Sequence, residues 1–472
     1  MHRRLLCLLV VLLSACGGGD GNINSPTEQA LGVKACDVSG CFAVGGTVLG
    51  LVAHNSLVLQ NNFSTLTIKS NGAFTFAAKQ PNLTTYNVTV SRLPASQACS
   101  VTYGMGTIDG ARVNNVNVFC GPTPVGAFVP GSSAAQAREF HSATLMSDGR
   151  VLVVGGYGPL GIPLLGVDIY DSGRNTWTIA AGLSGGLIYH SATLLPNGKV
   201  LVAGGVGLSG GNVSPACYLY DPITNTWAHA ANLATARARH TATLMANGTV
   251  LIAGGVTPST TAASAELYDP GTNLWSSVSG MSEPRQFHTA TLMTSGKVLV
   301  AGGIALNGYP TPTAEIYDPA QNLWSSVQSL PVGRAYHTAT LLPNGRALIA
   351  GGLDQDTSNN ITFLTDALVF EPSTSSWSAA GALATARIFH TATLMPTGKV
   401  LIAGGGDVVS PNFLPAATAE LYDLNSNAWA ATGSLENGRG HHSSTLLSNG
   451  KAFLFGGESG PNAYLPTADL YW

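Results

Sequence analysis

The residue types best suited to chemistry in this chain recur at fixed intervals. Histidines stand at His141, His190, His240, His288, His337, His390 and His442, with gaps of 49, 50, 48, 49, 53 and 52 residues. Three positions before the histidine lies Arg138, Arg237, Arg285, Arg334, Arg387 or Arg439, and Leu187 takes that place in the second copy. Imidazoles gathered around one axis could bind a metal. A ring of guanidinium groups could hold carboxylates through paired hydrogen bonds. A group present once per repeat is more often a device that builds the repeat. The histidines are therefore read mainly as structural hydrogen-bonding groups. The arginines are read mainly as pairing with a Tyr-Asp aspartate or with loop carbonyls, and they are kept as candidates for a ligand-binding face. Asp354 and Asp356 in "DQDTSNN" have a calcium-like spacing, read as a solvated loop, and with Asp407 they join the candidates for that face. The chain contains no G-x-S-x-G, no phosphate loop and no H-E-x-x-H, so common hydrolase and nucleotide chemistries have no support.

The elements that position these groups are legible from the same alignment. Fourteen residues after each histidine comes the first of two glycines: Gly155, Gly204, Gly254, Gly302, Gly351, Gly404 and Gly456. A Tyr-Asp pair follows, or Phe370-Glu371 in the fifth copy. A tryptophan stands seven residues after the aromatic at Trp177, Trp227, Trp275, Trp324, Trp377 and Trp429. A period near fifty with about four strand-like segments per unit predicts a β-propeller. "HTATLL" and "KVLVAGG" read as strands joined by tight turns such as Asn344-Gly345, suited to two-residue hairpins. "AELYDP" reads as the third strand, and the Trp segment as the fourth. The seventh copy ends at "ADLYW" without a fourth strand. The Trp spacing places its substitute near Phe128, so the segment near 126–131 is expected to seal a seven-bladed ring. Between the glycine pair and the third-strand aromatic lie 13, 14, 12, 13, 17, 16 and 13 residues. That variable face is where binding is expected.

Glycine pair, Tyr-Asp and spaced Trp together resemble the kelch repeat, in the bacterial form also seen in galactose oxidase, over about three quarters of the chain. The resemblance implies a seven-bladed propeller over 122–472. Certain animal kelch adaptors hold acidic peptides with arginines at this motif position, which the resemblance carries to the arginines above. In the galactose oxidase family an "R-x-Tyr-His" supplies copper ligands, and Tyr336 with His337 fits best. The family also needs a tyrosine cross-linked to cysteine and a histidine from a C-terminal domain. Neither is evident here, since Cys217 lies just before Tyr220. No cofactor is therefore expected.

The N-terminal part follows other rules. Short alternating runs over 36–121, such as "STLTIKS" and "YNVTVSRL", predict a small antiparallel β-sandwich resembling immunoglobulin-like modules. Before it, "RRLLCLLVVLLSACGGG" has a basic start and nine apolar residues, too few to span a bilayer. Leu13-Ser14-Ala15-Cys16 resembles the bacterial lipobox. That resemblance implies a signal peptide over 1–15, lipid on Cys16 and a tether over 16–35, with outer-membrane localisation. Cys36, Cys41, Cys99 and Cys120 form an even set in an exported chain, paired here as Cys36–Cys41 and Cys99–Cys120.

Charged residues make up 10% of the chain and the net charge is −3. Such a composition argues against nucleic-acid binding, which needs a basic face. The overall expectation is an all-β, envelope-anchored monomer that binds a protein or glycan ligand. The alternative is a propeller oxidoreductase or carbohydrate-active enzyme.

Overall fold

Four consecutive apolar residues before each glycine pair set the architecture. In "VLVV", Val151 to Val154, every residue is fully buried, and the same holds within 2% for Val200 to Ala203 and Val298 to Ala301. A strand with no polar face must be covered on both sides. Here the covers are the neighbouring sheets. The computed structural model describes residues 40–472 except 62–63, 93, 95–96, 103, 123–125, 208–210 and 410–411. Cys16, Cys36, the signal-peptide segment and the tether lie outside the described residues.

The described residues are all-β. Blade 1 is a four-stranded meander of Ser142–Leu145, Val151–Val154, Val167–Asp171 and Thr176–Ile179. Blades 2 to 6 repeat it from innermost strands Ser191–Leu194, Thr241–Leu244, Thr289–Leu292, Thr338–Leu341 and Thr391–Leu394. Blade 7 supplies Ser443–Leu446, Ala452–Phe455 and Ala468–Tyr471, and its outer strand is Phe128–Pro130 from the other end of the propeller. Phe128 pairs with Tyr471 and Pro130 with Asp469. Innermost strands pack in chain order, and that of blade 7 packs back onto blade 1, so the ring is closed.

Cohesion lies between blades. Leu152 and Val154 of blade 1 share a buried cluster with Val200, Val202 and Tyr220 of blade 2, while Val151 and Val153 face Phe453 and Phe455 of blade 7. Each seam between neighbouring blades has such a cluster. The Trp of each of blades 1 to 6 adds a polar latch: the indole of Trp227 donates to the Ala181 carbonyl of the preceding blade (2.7 Å), and Trp324 to Ser279 (2.7 Å).

The tight turns differ from the two-residue expectation. Leu342 and Arg346 close a three-residue loop, Pro343-Asn344-Gly345, with the Leu342 N–H on the Arg346 carbonyl at 2.8 Å. Gly345 sits at φ +82°, the left-handed residue that such a loop needs at its third position.

The N-terminal part has two four-stranded sheets around one core containing Val44, Leu59, Phe74, Val88, Val116 and Val118. It is not purely antiparallel, because Val113–Pro122 pairs in parallel with Val44–Leu49. Cys99 and Cys120 stand opposite each other on adjacent antiparallel strands and are disulfide-bonded. Cys41 is also disulfide-bonded, and its expected partner Cys36 lies outside the described residues.

Deleting residues 126–131 from the full chain should expose the Ala468–Tyr471 edge. The expected outcome is a lower melting temperature with aggregation, read by calorimetry and light scattering. Melting identical to the parent would contradict closure by this strand.

Candidate binding site at the channel mouth

The six arginines kept as candidates for a ligand-binding face are fully buried inside the blades. Arg285 donates to the Gly302 and Thr313 carbonyls (2.9 and 3.0 Å) and to Glu315 (2.9 Å). Arg237 does the same with Gly254, Ser264 and Glu266, and Arg387 with Gly404, Thr418 and Glu420. Arg138 pairs with Asp168, Arg439 with Asp469 and Arg334 with Asp366. Each guanidinium thus ties the entrance of the first strand to the loop between the second and third. The partner is not the Tyr-Asp aspartate but the acid two residues before the aromatic. Blade 2 tests the pairing internally: where Leu187 replaces the arginine, Tyr218 replaces the acid. In blade 5 Leu368 holds the usual acid position, and Asp366 two residues earlier serves instead.

The histidines form a second device, between blades. Nε2 of His190 bonds the Ser142 hydroxyl of blade 1 (2.9 Å), His240 bonds Ser191 (2.9 Å) and His288 bonds Thr241 (3.0 Å). His337, His390 and His442 bond Thr289, Thr338 and Thr391 (2.9, 3.0 and 2.9 Å). His141 completes the circle on Ser443 of blade 7 at 2.8 Å. Burial, followed by the nearby arginine charge, pushes His240 and His288 down to about 3. The opposing contact is the carbonyl three residues upstream, Arg237 or Arg285, and it does not offset burial. These imidazoles are neutral at pH 7. The glycine pair follows from them. A Cβ on Gly302 would stand 2.4 Å from the Arg334 carbonyl oxygen and 2.8 Å from Cε1 of His337.

A third ring, which the sequence reading missed, lies at the entrance of the innermost strands. The residue before each histidine is Phe140, Tyr189, Arg239, Phe287, Tyr336, Phe389 or His441, and all seven have φ between +52° and +58°. Left-handed backbone is uncommon for bulky residues and marks a geometry imposed by the surroundings. Their side chains touch in a closed circle. Phe140 meets Tyr189 at 4.6 Å, Phe287 meets Tyr336 at 4.5 Å, and Tyr336 meets Phe389 at 4.7 Å. His441 packs on Phe389 (3.7 Å) and Phe140 (4.1 Å). Arg239 lies 4.7 Å from both the Tyr189 and Phe287 rings. Members are half-buried, so the annulus presents ring surface at the mouth of the channel. Arg239 donates to Gln286 (3.2 Å), and its Nε is buried without a hydrogen-bond partner among the described residues. A signal existed in the alignment: the position is aromatic in five copies, with Arg239 and His441 the exceptions.

The two longest loops fold as hairpins, Leu353–Gln355 with Ile361–Phe363 and Gly406–Val409 with Asn412–Pro415. Phe413 from the second reaches the annulus, 5.7 Å from both Phe389 and His441. Asp356 accepts from Ser358 and Asn360, closing its own turn, and Asp354 is half-buried, accepting from the Gln355 N–H. Asp407 lies in the strand Gly406–Val409. Neither Asp354 nor Asp356 belongs to a cluster of metal-binding geometry among the described residues. The one such cluster is Glu139, His441 and Glu458. Nε2 of His337 bonds Thr289 and Tyr336 is held in the annulus, and His337 belongs to no cluster of metal-binding geometry among the described residues. Cys217 is buried, and burial pushes its thiol up to about 12.

These features define a seven-bladed β-propeller. The family model described as "KLHDC2/KLHL20/DRC7 Kelch-repeats domain" matches residues 189–405. Among solved structures, a novel fungal alcohol oxidase of the AA5 family in complex with copper is similar with a TM-score of 0.59 and 18% identity, over 74% of this chain and 76% of that one. The structure of YjhT is similar with a TM-score of 0.51 and 17% identity, over 64% of this chain and 99% of that one. Comparison with curated proteins returns no match. The propeller fold is shared with that alcohol oxidase.

Replacing His288 by Asn should destabilise the protein by about 1–3 kcal/mol by leaving Thr241 unpaired. The pH dependence has a definite sign. Between about 3 and the ordinary value of 6.5 the unfolded chain takes a proton at His288 that the folded chain refuses. Stability is therefore complete above that window and lost as the pH falls through it. In His288→Asn the slope of unfolding free energy against pH should shrink by about one proton, ~1.4 kcal/mol per pH unit. Urea titrations at several pH values read it, and an unchanged slope would contradict a neutral buried imidazole.

Proposed function

We propose that this chain is an envelope-anchored binding protein whose propeller takes a protein or glycan ligand at the annulus. The observation that carries this reading is the ring of left-handed, half-buried residues at the channel mouth. The arginines and inner-rim histidines are consumed in holding blades together, so recognition is left to the annulus and the loops around it. Aromatic faces pack against apolar side chains or against the C–H faces of sugars. Arg239, with no carboxylate paired to it among the described residues, favours a ligand bearing an anionic group. The loop hairpins of blades 5 and 6 would flank the bound segment.

Purified protein is to be screened against glycan arrays and isolated envelope fractions, alongside Arg239→Ala and Tyr336→Ala. Both variants should lose about tenfold or more in affinity, with melting nearly unchanged. Equal binding by all three would reject the annulus as the site. Stoichiometric copper with oxidase turnover, lost in His337→Gln, would establish the oxidoreductase reading instead.

Anchoring at Cys16 completes the proposal, with the N-terminal module as a spacer below the propeller. It is supported by the apolar run and the Leu13-Ser14-Ala15-Cys16 stretch. Mass spectrometry of the mature protein should find Cys16 at the N-terminus, lipidated. An unmodified terminus on a protein that stays out of the membrane fraction would refute it.

A further inference from the structure

We propose that Glu139, His441 and Glu458 form a site for a divalent first-row cation, zinc foremost, that latches blade 7 to blade 1. Each of the three departs from the repeat. The position of Glu139 is held elsewhere by Ile188, Ala238, Gln286, Ala335, Ile388 and Gly440. That of His441 is aromatic in five copies and Arg239 in another. The position of Glu458, just after the glycine pair, carries no carboxylate in any other copy. These departures, scattered along the sequence, meet at one seam, where the two ends of the propeller are joined.

The geometry suits a metal. Nδ1 of His441 lies 3.0 Å from Oε1 of Glu458 and 3.3 Å from Oε2 of Glu139. Those separations are close to the ~3.4 Å edge of a tetrahedron with bonds of about 2.1 Å. The three ligand atoms all lie within 4.8 Å of one another. Backbone pairing holds two of the ligands: Glu139 exchanges hydrogen bonds with Tyr157 (3.1 and 2.7 Å), and Glu458 with Gly440 (2.9 and 2.9 Å). The His441 ring is gripped between Phe140 and Phe389.

A second, independent observation points to a cation. Glu139 is 94% buried by its 6% exposure, and its Oε2 makes no hydrogen bond of good geometry and has only the His441 Nδ1, at 3.3 Å, as an ion-pair neighbour. A bare buried carboxylate oxygen is costly unless positive charge meets it. Two carboxylates neutralise a dication, and an imidazole beside them suits zinc better than calcium or magnesium. Partial exposure of His441 (11%) and Glu458 (17%) gives the ion a route in. The proposal is independent of the ligand at the annulus.

The test uses the full-length protein, stripped with chelator and titrated with zinc chloride, followed by calorimetry and elemental analysis. Wild type should bind one zinc per chain and melt higher with it. Cobalt substitution should give the visible bands of a low-symmetry, four- or five-coordinate site. Glu139→Gln and Glu458→Gln preserve shape and should weaken zinc by about tenfold or more. His441→Phe restores the residue commonest at that position, so it should fold and lose both the zinc and its thermal effect. No zinc retained by wild type, or zinc retained equally by His441→Phe, would overturn the site and leave a protonated His441 as the bridge between the two acids.

Discussion

The structure depends on a hydrogen bond made seven times around one axis, from a histidine to the hydroxyl that opens the innermost strand of the preceding blade. A propeller blade cannot bury its own apolar faces, so each second strand needs a neighbour on either side. The imidazole–hydroxyl bond fixes the register of that contact at the narrow inner rim, and the Trp indole does so at the outer rim. Because the bond closes on itself through His141 and Ser443, every blade is held from both sides. Burial that keeps these rings neutral also removes them from acid–base chemistry.

Other features of the repeat follow from this constraint. The first glycine of each pair lies under the histidine ring of the next blade and the carbonyl three residues before it, an arginine's except Leu187 in blade 2, where a side chain would collide. The arginine secures the loop that leaves this glycine pair, and its charge is met by an acid on the third strand of the same blade. Blade 2 dispenses with both charges together, as expected if an unpaired buried charge costs more than a lost pair contributes. Blade 5 keeps the pair by moving the acid along the strand to Asp366.

The propeller was legible in the sequence because its determinants are local and repeated: fixed histidine-to-glycine spacing, the aromatic-to-Trp interval, and all-apolar second strands. What was not legible depends on contacts between repeats or on backbone handedness. The arginines remain candidate ligand-binding groups in an alignment, since nothing local shows that Glu315 or Glu266 will lie beside them. The annulus requires seven residues to take a left-handed conformation, which residue type does not announce for Phe287 or Tyr336. The Glu139, His441 and Glu458 cluster exists only after the two ends of the ring meet. The N-terminal module was misread as purely antiparallel because alternation in Val44–Leu49 and Val113–Pro122 is the same for either direction of pairing.

In this propeller the repeated histidines act as neutral structural hydrogen-bonding groups. Histidine-selective nitrogen labelling of the full chain, followed by NMR from about pH 7.5 to about pH 5, examines it directly. The prediction is a set of seven imidazoles whose nitrogen shifts stay those of the neutral ring throughout, in keeping with burial at His190, His240, His288 and their counterparts. Titration of these rings near the ordinary histidine value would contradict it and return them to the list of groups available for metal or proton chemistry.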